Sequence, residues 1–157
     1  MQRRELLAGL TALLVVHPAV GEEMDIARFV PLMIESSGRI ITIRAEVADT
    51  EQLRRRGLMY RQRLPKGQGM LLLWDQPGFA ALWMKNTLIP LDMVFMDGDG
   101  VITHIHENAR PGDLKPISAG RPTLAVLEIA AGEAKRLGLK VGDRAALPRP
   151  RTALNED

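Results

Sequence analysis

Residues 81–106 read ALWMKNTLIPLDMVFMDGDGVITHIH, and this stretch decides the predicted fold. Short apolar runs alternate with turn residues in it, which is typical of strands joined by tight turns. We predict strands over 81–86, 91–96 and 101–106, with the sequence DGDG at 97–100 reversing the chain before the third strand. Three neighbouring antiparallel strands would then form the middle of a β-sheet.

A lysine and an aspartate stand out in the first predicted hairpin, because apolar residues surround both. With residues 87–90 as a four-residue loop, Lys85 lies directly opposite Asp92, and Trp83 lies opposite Val94. The pair has two interpretations. It either fixes the register of the hairpin or forms a functional site in which the ammonium lowers the pKa of the carboxyl group. We favour the structural interpretation, since breaking a buried pair costs about 3 to 5 kcal/mol.

The flanking sequence adds further short strands and two small helices. Asp49 or Thr50 can cap the first helix, and Gly57 can end it. Strands are predicted over 29–35, 39–47, 70–74, 123–129 and 144–147, helices over 51–56 and 132–137, a turn at 75–78 and a long loop over 107–122. This pattern indicates a mainly β domain, either an antiparallel β-sandwich or a jelly-roll-like, partly closed barrel, with two short helices.

The N-terminus has the pattern of an export signal. Arg3 and Arg4 are followed by an apolar run over 6–16, which is too short for a stable membrane span, and by small residues at 19–21. The paired arginines also resemble a twin-arginine signal, and the general secretory route stays open. The alternative is a buried N-terminal helix of a cytosolic protein. We expect a periplasmic or secreted protein with a signal at 1–21, a leader at 22–28, one β domain at 29–147 and a tail at 148–157.

Charge and composition exclude several classes of function. The formal net charge is +2, and loss of Arg3, Arg4 and Glu5 with the signal leaves +1, which argues against nucleic-acid binding. The chain of 157 residues has no cysteine, so disulfides, thiolate catalysis and cysteine-rich metal sites are excluded. No second apolar run is long enough for a membrane span. No Gly-x-Ser-x-Gly motif supports a nucleophilic hydrolase, and we expect no cofactor.

Two histidines are candidate metal ligands. His104 and His106 alternate along the third predicted strand, so both imidazoles should project from one face of the sheet. If residue 96 faces residue 101, Met93 lies beside His104. A metal site would also need a distant carboxylate such as Asp113 or Glu128. We therefore favour a structural role for both histidines.

A cluster of basic residues surrounds the first predicted helix. Guanidinium groups there could bind an anion or an acidic partner, although a solvated helix face is the commoner arrangement. The six cations are Arg54, Arg55, Arg56, Arg61, Arg63 and Lys66.

Several segments together resemble the bacterial and archaeal family called domain of unknown function 192. The matching segments are RGLMYR at 56–61, GMLL at 69–72, WMKNTLIPLD at 83–92, VLE at 126–128 and VGD at 141–143. The resemblance spans about residues 40–147 and implies a jelly-roll-like β fold in an often exported family. It implies no catalytic residue, because the family has no assigned biochemical role. Some members carry cysteines in the loop matching 107–122, where this chain has none.

These observations predict a non-enzymatic periplasmic module that binds a small polar ligand or an envelope partner protein. The hypothesis requires a preformed pocket with Trp83 partly accessible. The alternatives are a metal-assisted enzyme that uses His104 and His106, and a structural protein of an envelope assembly. The candidate ligand-binding residues are Arg56, Met59, Arg61, Trp83, Lys85, Asn86, Thr87 and Asp92.

Overall fold

This computed structural model describes residues 27–151 of the chain. Seven strands and two short helices, joined by turns and loops, form this part of the protein. The predicted signal, residues 1–21, lies outside the described residues. In chain order the elements are β1 Arg28–Ser36, β2 Arg39–Ala48, α1 Glu51–Arg56, β3 Gln68–Gly78, β4 Leu91–Met96, β5 Ile102–Ala109, β6 Thr123–Ala130, α2 Glu133–Leu137 and β7 Arg144–Ala145.

The strands form a single curled sheet in the order β5-β4-β6-β3-β2-β1-β7. The sheet is a half-barrel, so the predicted mainly β, partly closed barrel is confirmed. A bridge between Val101 and Arg144 connects the two ends of the sheet. The pair β2–β3 is parallel, whereas the other strand pairs are antiparallel. The chain makes this parallel pair by crossing over through α1 and the loop that follows it.

The predictions for β1, β2 and α1 are confirmed. The two strands form a hairpin in which Ser36 lies opposite Arg39, and alternate residues of β2 are buried. Thr50 caps α1, since its hydroxyl oxygen accepts a hydrogen bond from the Leu53 N–H at 3.2 Å. Gly57 ends the helix with φ of +46°, a conformation that glycine adopts without steric cost.

The predicted three-stranded meander is only partly correct. β4 and β5 pair, but residues 81–86 form no strand, and Leu82 alone bridges to Ile117. The backbone N–H of Met84 instead donates to the carbonyl of Asp113 at 2.8 Å, so this segment pairs with the later loop. The second neighbour of β4 is β6.

Two finer predictions for this region are also wrong. Met93 lies opposite His106 rather than His104, because Met96 pairs with Ile102 instead of Val101 and the register shifts by one more residue between Phe95 and Met96. Residues 75–78 belong to the irregular end of β3 instead of forming a separate turn.

Apolar layers cover both faces of the sheet. One layer lies under α2 and includes Leu71, Val94 and Leu127. The other lies under α1 and the loops, and includes Leu72 and Phe95. All six residues of β4 are buried, which is the pattern of a strand covered on both faces. No helix within residues 27–151 is both long enough and apolar enough to cross a bilayer.

Candidate functional site

A cleft of about 310 Å³ opens between α1, β3 and the loop before β4. We call it the α1 cleft. Ligand pockets in proteins usually measure about 300 to 1,000 Å³, so the α1 cleft suits a small molecule. Its lining includes α1 and the residues after it, two residues of β3, part of the loop and one residue of β6, namely Glu51, Arg54, Arg55, Arg56, Gly57, Leu58, Met59, Leu72, Trp74, Ala81, Leu82, Trp83, Thr87 and Glu128.

Arg54 fixes α1 against the sheet. Its Nη1 atom donates to the carbonyl oxygens of Asp49 and Leu73, both at 2.8 Å. Its guanidinium carbon also lies 5.4 Å from the centroid of the Trp74 ring, a cation–π distance. Asp49 is itself held by Arg28 at 2.9 Å. One wall of the α1 cleft is therefore built on a fixed network.

Glu128 lies at the base of the α1 cleft and is the most unusual group in it. It lies in the second half of β6, with Met70 opposite it on one neighbouring strand and Met93 on the other. Its side chain is 6% exposed, and within residues 27–151 its Oε2 atom has no hydrogen-bond partner. A Cβ atom on Gly57 would lie 3.6 Å from Oε2, so the glycine leaves space beside the carboxyl group.

Burial raises the pKa of Glu128 from 4.5 to about 7, and desolvation is the cause. Near neutral pH the carboxyl group is therefore present in both protonation states and can donate or accept a hydrogen bond. A carboxyl group with this pKa costs the folded protein about 3 kcal/mol when it ionises. Strongly perturbed groups of this kind cluster at functional sites.

The mouth of the α1 cleft is positively charged. Arg55 pairs with Glu51 at 2.6 Å, and both side chains are largely exposed. Arg56 is exposed, and no ion pair or hydrogen bond of its side chain occurs within the described residues. The Lys85 ammonium lies 5.1 Å from the centroid of the Trp83 ring. The cleft thus combines basic groups at its mouth with a buried carboxyl group at its base.

Four of the predicted site residues come together in the α1 cleft: Arg56, Met59, Trp83 and Thr87. Trp83 is 49% exposed. Arg61 instead forms an ion pair with Glu46 at 2.6 Å and lines a smaller neighbouring cavity.

Lys85 and Asn86 are exposed beside the cleft and do not line it. Asn86 has a positive φ of 54°, and its carbonyl oxygen accepts from the Tyr60 N–H at 2.9 Å. This hydrogen bond ties the loop to the segment that follows α1. Asn86 therefore has a structural contact at the edge of the cleft.

The predicted pairing of Asp92 with Lys85 is wrong. Asp92 is completely buried, and its carboxyl oxygens accept from the backbone N–H groups of Asn108 at 3.0 Å, Gly132 at 2.9 Å and Ala134 at 3.0 Å. It shares a face of β4 with Val94, so it points toward α2 and away from the α1 cleft. Backbone donors at the start of α2 take the place of the expected ammonium, because residues 81–86 form no strand.

His104 and His106 share one face of β5, with their ring centroids 6.5 Å apart. The His104 ring packs 5.7 Å from the ring of Phe95. Neither histidine lines the α1 cleft, and Met93 separates His106 from Glu128 across the sheet. Between residues 27 and 151, no group of three or more His, Asp or Glu side chains is placed to hold a metal ion.

The sequence interpretation missed Glu128 as the centre of the site and considered it only as a distant metal ligand. A signal was present, because Glu128 is the one charged residue in the otherwise apolar run TLAVLEIA of β6. A lone acid in a buried strand requires either a partner or a function. The sequence could not show that the Glu128 Oε2 atom lacks a partner within residues 27–151.

The fold and the site define a half-barrel protein with a cleft under its first helix that contains one buried carboxyl group. Residues 32–147 match the family profile described as DUF192, Uncharacterized ACR, and the chain belongs to this family. The earlier resemblance is therefore confirmed. The family description assigns no biochemical activity.

Two solved structures are similar to this chain. One is a Novosphingobium aromaticivorans DSM 12444 protein of unknown function, with 38% identity and a TM-score of 0.75, covering 89% of this chain and 99% of that chain. The other comes from Sinorhizobium meliloti 1021 and is provisionally described as a transcription regulator. It has 38% identity and a TM-score of 0.74, covering 76% of this chain and 93% of that chain. No curated protein matched significantly.

Proposed function

We propose that the protein is an exported, non-enzymatic module that binds a small polar ligand in the α1 cleft. The observation that carries this proposal is the buried Glu128 carboxyl group, whose Oε2 atom has no hydrogen-bond partner among the described residues. Buried polar groups are nearly always hydrogen-bonded, because an unmade bond costs free energy. A ligand that uses this carboxyl group would repay that cost, whereas the fold alone gains nothing from it.

Binding is favoured over catalysis by the composition of the α1 cleft. Nucleophilic catalysis usually needs a general base within hydrogen-bond reach of the nucleophile. The other ionisable groups that line the cleft are Glu51 and the three arginines of α1. Two of these arginines are already engaged, Arg54 with backbone carbonyls and Arg55 with Glu51.

Export is supported by the three-part pattern of residues 1–21, so the ligand would be met in the periplasm or outside the cell. Fractionation of cells that express the full chain tests this part of the proposal. The expected product is a shortened protein in the periplasm or the medium. Full-length protein retained in the cytoplasm would contradict it.

The Glu128→Met variant tests ligand binding. Methionine resembles glutamate in size, and Glu128 already lies between Met70 and Met93. We expect the variant to be more stable than the wild type, because a partnerless buried carboxyl group is removed. We also expect it to lose ligand binding. If the carboxyl group had a purely structural role, its removal would make the variant less stable than the wild type.

Tryptophan fluorescence provides a local readout, since the two tryptophans of the chain, Trp74 and Trp83, both line the α1 cleft. A panel of organic acids, amines, sugars and nucleotides should contain compounds that change the fluorescence and raise the melting temperature of the wild type. The Glu128→Met variant should not respond. Equal responses of both proteins, or no response to any class, would refute binding in this cleft.

A partner protein is the second candidate ligand of the module. The outer face of the β1–β2 hairpin exposes Phe29, Met33 and Ile40, which are 42%, 48% and 63% exposed. Exposed apolar groups on one face can mark a docking surface. The Ile40→Asp variant separates the two candidates, because it should leave small-molecule binding in the α1 cleft unchanged.

The other functions considered have weaker support. A transcription regulator, as the Sinorhizobium meliloti relative is described, would need a basic surface for nucleic acid, and the net charge here is only +2. A metal-assisted enzyme would need a third ligand beside His104 and His106, and the described residues supply no such group.

A further inference from the structure

We propose that the ligand of the α1 cleft is a small organic acid: a carboxylate on a flat apolar body, with a hydroxyl or carbonyl oxygen at the far end. This inference rests on the proposed function and specifies its ligand class. The carboxylate would lie at the mouth beside Arg56, and the far oxygen would meet Glu128. Three separate features of the cleft support this orientation.

The first feature is the charge at the mouth. Arg55 and Arg56 line this mouth, Lys85 is exposed beside it, and Glu51, already paired with Arg55, is the one acid besides Glu128 among the described lining residues. The Arg56 guanidinium is exposed and unpaired within residues 27–151. A guanidinium group binds a carboxylate through two parallel hydrogen bonds. An organic acid would be attracted to this mouth, and an amine would be repelled.

The second feature is the lining between mouth and base. Leu58, Leu72, Trp74, Leu82 and Trp83 supply apolar and aromatic surface there. Aromatic side chains pack well against flat rings in offset or edge-to-face arrangements. A cleft of about 310 Å³ has room for a small molecule that carries such a ring.

The third feature is the carboxyl group at the base. A protonated Glu128 can donate a hydrogen bond to the far oxygen of the ligand. An ionised Glu128 would place a second negative charge in the cleft beside an anionic ligand, which is unfavourable. Affinity for an acid should therefore fall as the pH rises through the pKa of Glu128, which is about 7.

Other charged groups line the cleft around Glu128 and could contribute to the same pH response. From α1 these are Glu51, Arg54, Arg55 and Arg56. The adjacent strands contribute uncharged Met70 and Met93, and His106 of β5 lies beyond Met93. A His106→Gln variant separates the contribution of the histidine from that of Glu128.

Fluorescence titration of the full chain with matched probes tests the inference. The probes are 4-hydroxybenzoate, its neutral analogue 4-hydroxybenzyl alcohol and the amine tyramine, at pH 6 and pH 8 on either side of the Glu128 pKa of about 7. We expect 4-hydroxybenzoate to bind most tightly at pH 6 and about tenfold more weakly at pH 8. The Glu128→Gln variant should still bind it, because an amide also donates, but without the pH dependence. The His106→Gln variant should retain the pH dependence.

Two arginine variants provide a matched control for charge. Arg56→Gln should weaken binding of 4-hydroxybenzoate by about tenfold, the effect of losing one charged hydrogen-bond donor. Arg63→Gln removes another exposed arginine that does not line the α1 cleft and should change nothing. Equal effects of the two variants would mean that only the overall charge matters, and would overturn the inference.

The remaining outcomes separate this inference from the proposed function. Tighter binding of tyramine, or affinity for the acid that rises with pH, would overturn the acid assignment. If the Glu128→Met substitution abolishes the binding observed in either case, the proposal of a ligand site in the α1 cleft is still supported. If none of the three probes changes the fluorescence while members of another class in the broad panel do, the ring-bearing acid is wrong and the cleft remains a binding site.

Discussion

Removal of the Asp92 carboxyl group is expected to be among the most damaging single changes to the fold. The Asp92→Ala variant would leave three backbone N–H groups without their acceptor, those of Asn108, Gly132 and Ala134. Hydrogen bonds to a carboxylate contribute about 1.5 to 3 kcal/mol each, and single substitutions seldom exceed about 5 kcal/mol. We therefore expect a loss of about 4 kcal/mol in the free energy of unfolding.

Part of this loss would come from α2. The N-cap of α2 is Gly132, and no side chain caps the helix, so the Asp92 carboxyl group satisfies its first donors from outside. The Asp92→Asn variant keeps one acceptor oxygen but turns an amide N–H₂ group toward other donors. We expect the free energy of unfolding of this variant to fall by about 2 kcal/mol, half of the loss expected for Asp92→Ala.

Urea unfolding of both variants, followed by circular dichroism, measures these changes, and Lys85→Ala is the matched control. If Lys85 and Asp92 formed a pair, either substitution would destabilise the protein and their effects would be non-additive. The structure predicts that Lys85→Ala changes stability by no more than about 0.5 kcal/mol, because its side chain is exposed. A large loss for Lys85→Ala, or coupling of the two substitutions in the double variant, would refute the reasoning.

Two further predictions concern Glu128 and Gly100. The Glu128 carboxyl group loses its proton near pH 4.5 when unfolded and near pH 7 when folded, so it reduces stability as the pH rises through this range. As the pH rises from 4 to 8, the free energy of unfolding of the Glu128→Gln variant should therefore increase by about 3 kcal/mol relative to that of the wild type. Urea unfolding measures this change, and a difference between the two proteins that does not vary with pH would contradict it. Gly100 has φ of +75°, and a Cβ atom there would overlap the carbonyl oxygen of Ala145. The Gly100→Ala variant should lose more than about 3 kcal/mol of its free energy of unfolding. The Gly112→Ala variant, where φ is +74° and the space around the residue is open, should lose only about 1 to 2 kcal/mol. Equal losses would show that the overlap with Ala145 is unimportant.

Local signals in the sequence predicted much of the fold. The strand over 39–47, the cap at Thr50 and the glycine at 57 each depend on neighbouring residues, and all three predictions are confirmed. The strand predicted over 70–74 is also present and lies within β3, the central strand of the sheet. Such features can be read from sequence because the determining contacts lie within a few residues along the chain.

The central hairpin could not be predicted in the same way. Residues 81–86 have the composition of a strand, yet hydrogen bonds to the loop at residues 112–117 decide their conformation. If residues 81–86 form a strand, the spacing of the sequence alone places Asp92 opposite Lys85. The true partners of Asp92 lie up to 42 residues away in the chain, at Ala134. Pairing over such separations is set by tertiary packing, which local patterns do not encode.

The candidate site shows the same limit. Arg56, Met59, Trp83 and Thr87 were predicted as site residues, and the structure brings them together in one cleft. The central group, Glu128, is distinguished by the absence of a partner within residues 27–151, which a sequence does not reveal.

The most direct test of the account is the pKa of Glu128, measured by the pH titration of its side-chain carboxyl ¹³C resonance. The Glu128→Gln variant identifies the resonance, because the signal disappears from its spectrum. We expect a midpoint near pH 7, because burial without a compensating charge disfavours the ionised form. A midpoint near the ordinary value of 4.5 would show a solvated or paired carboxyl group, and would contradict the central claim.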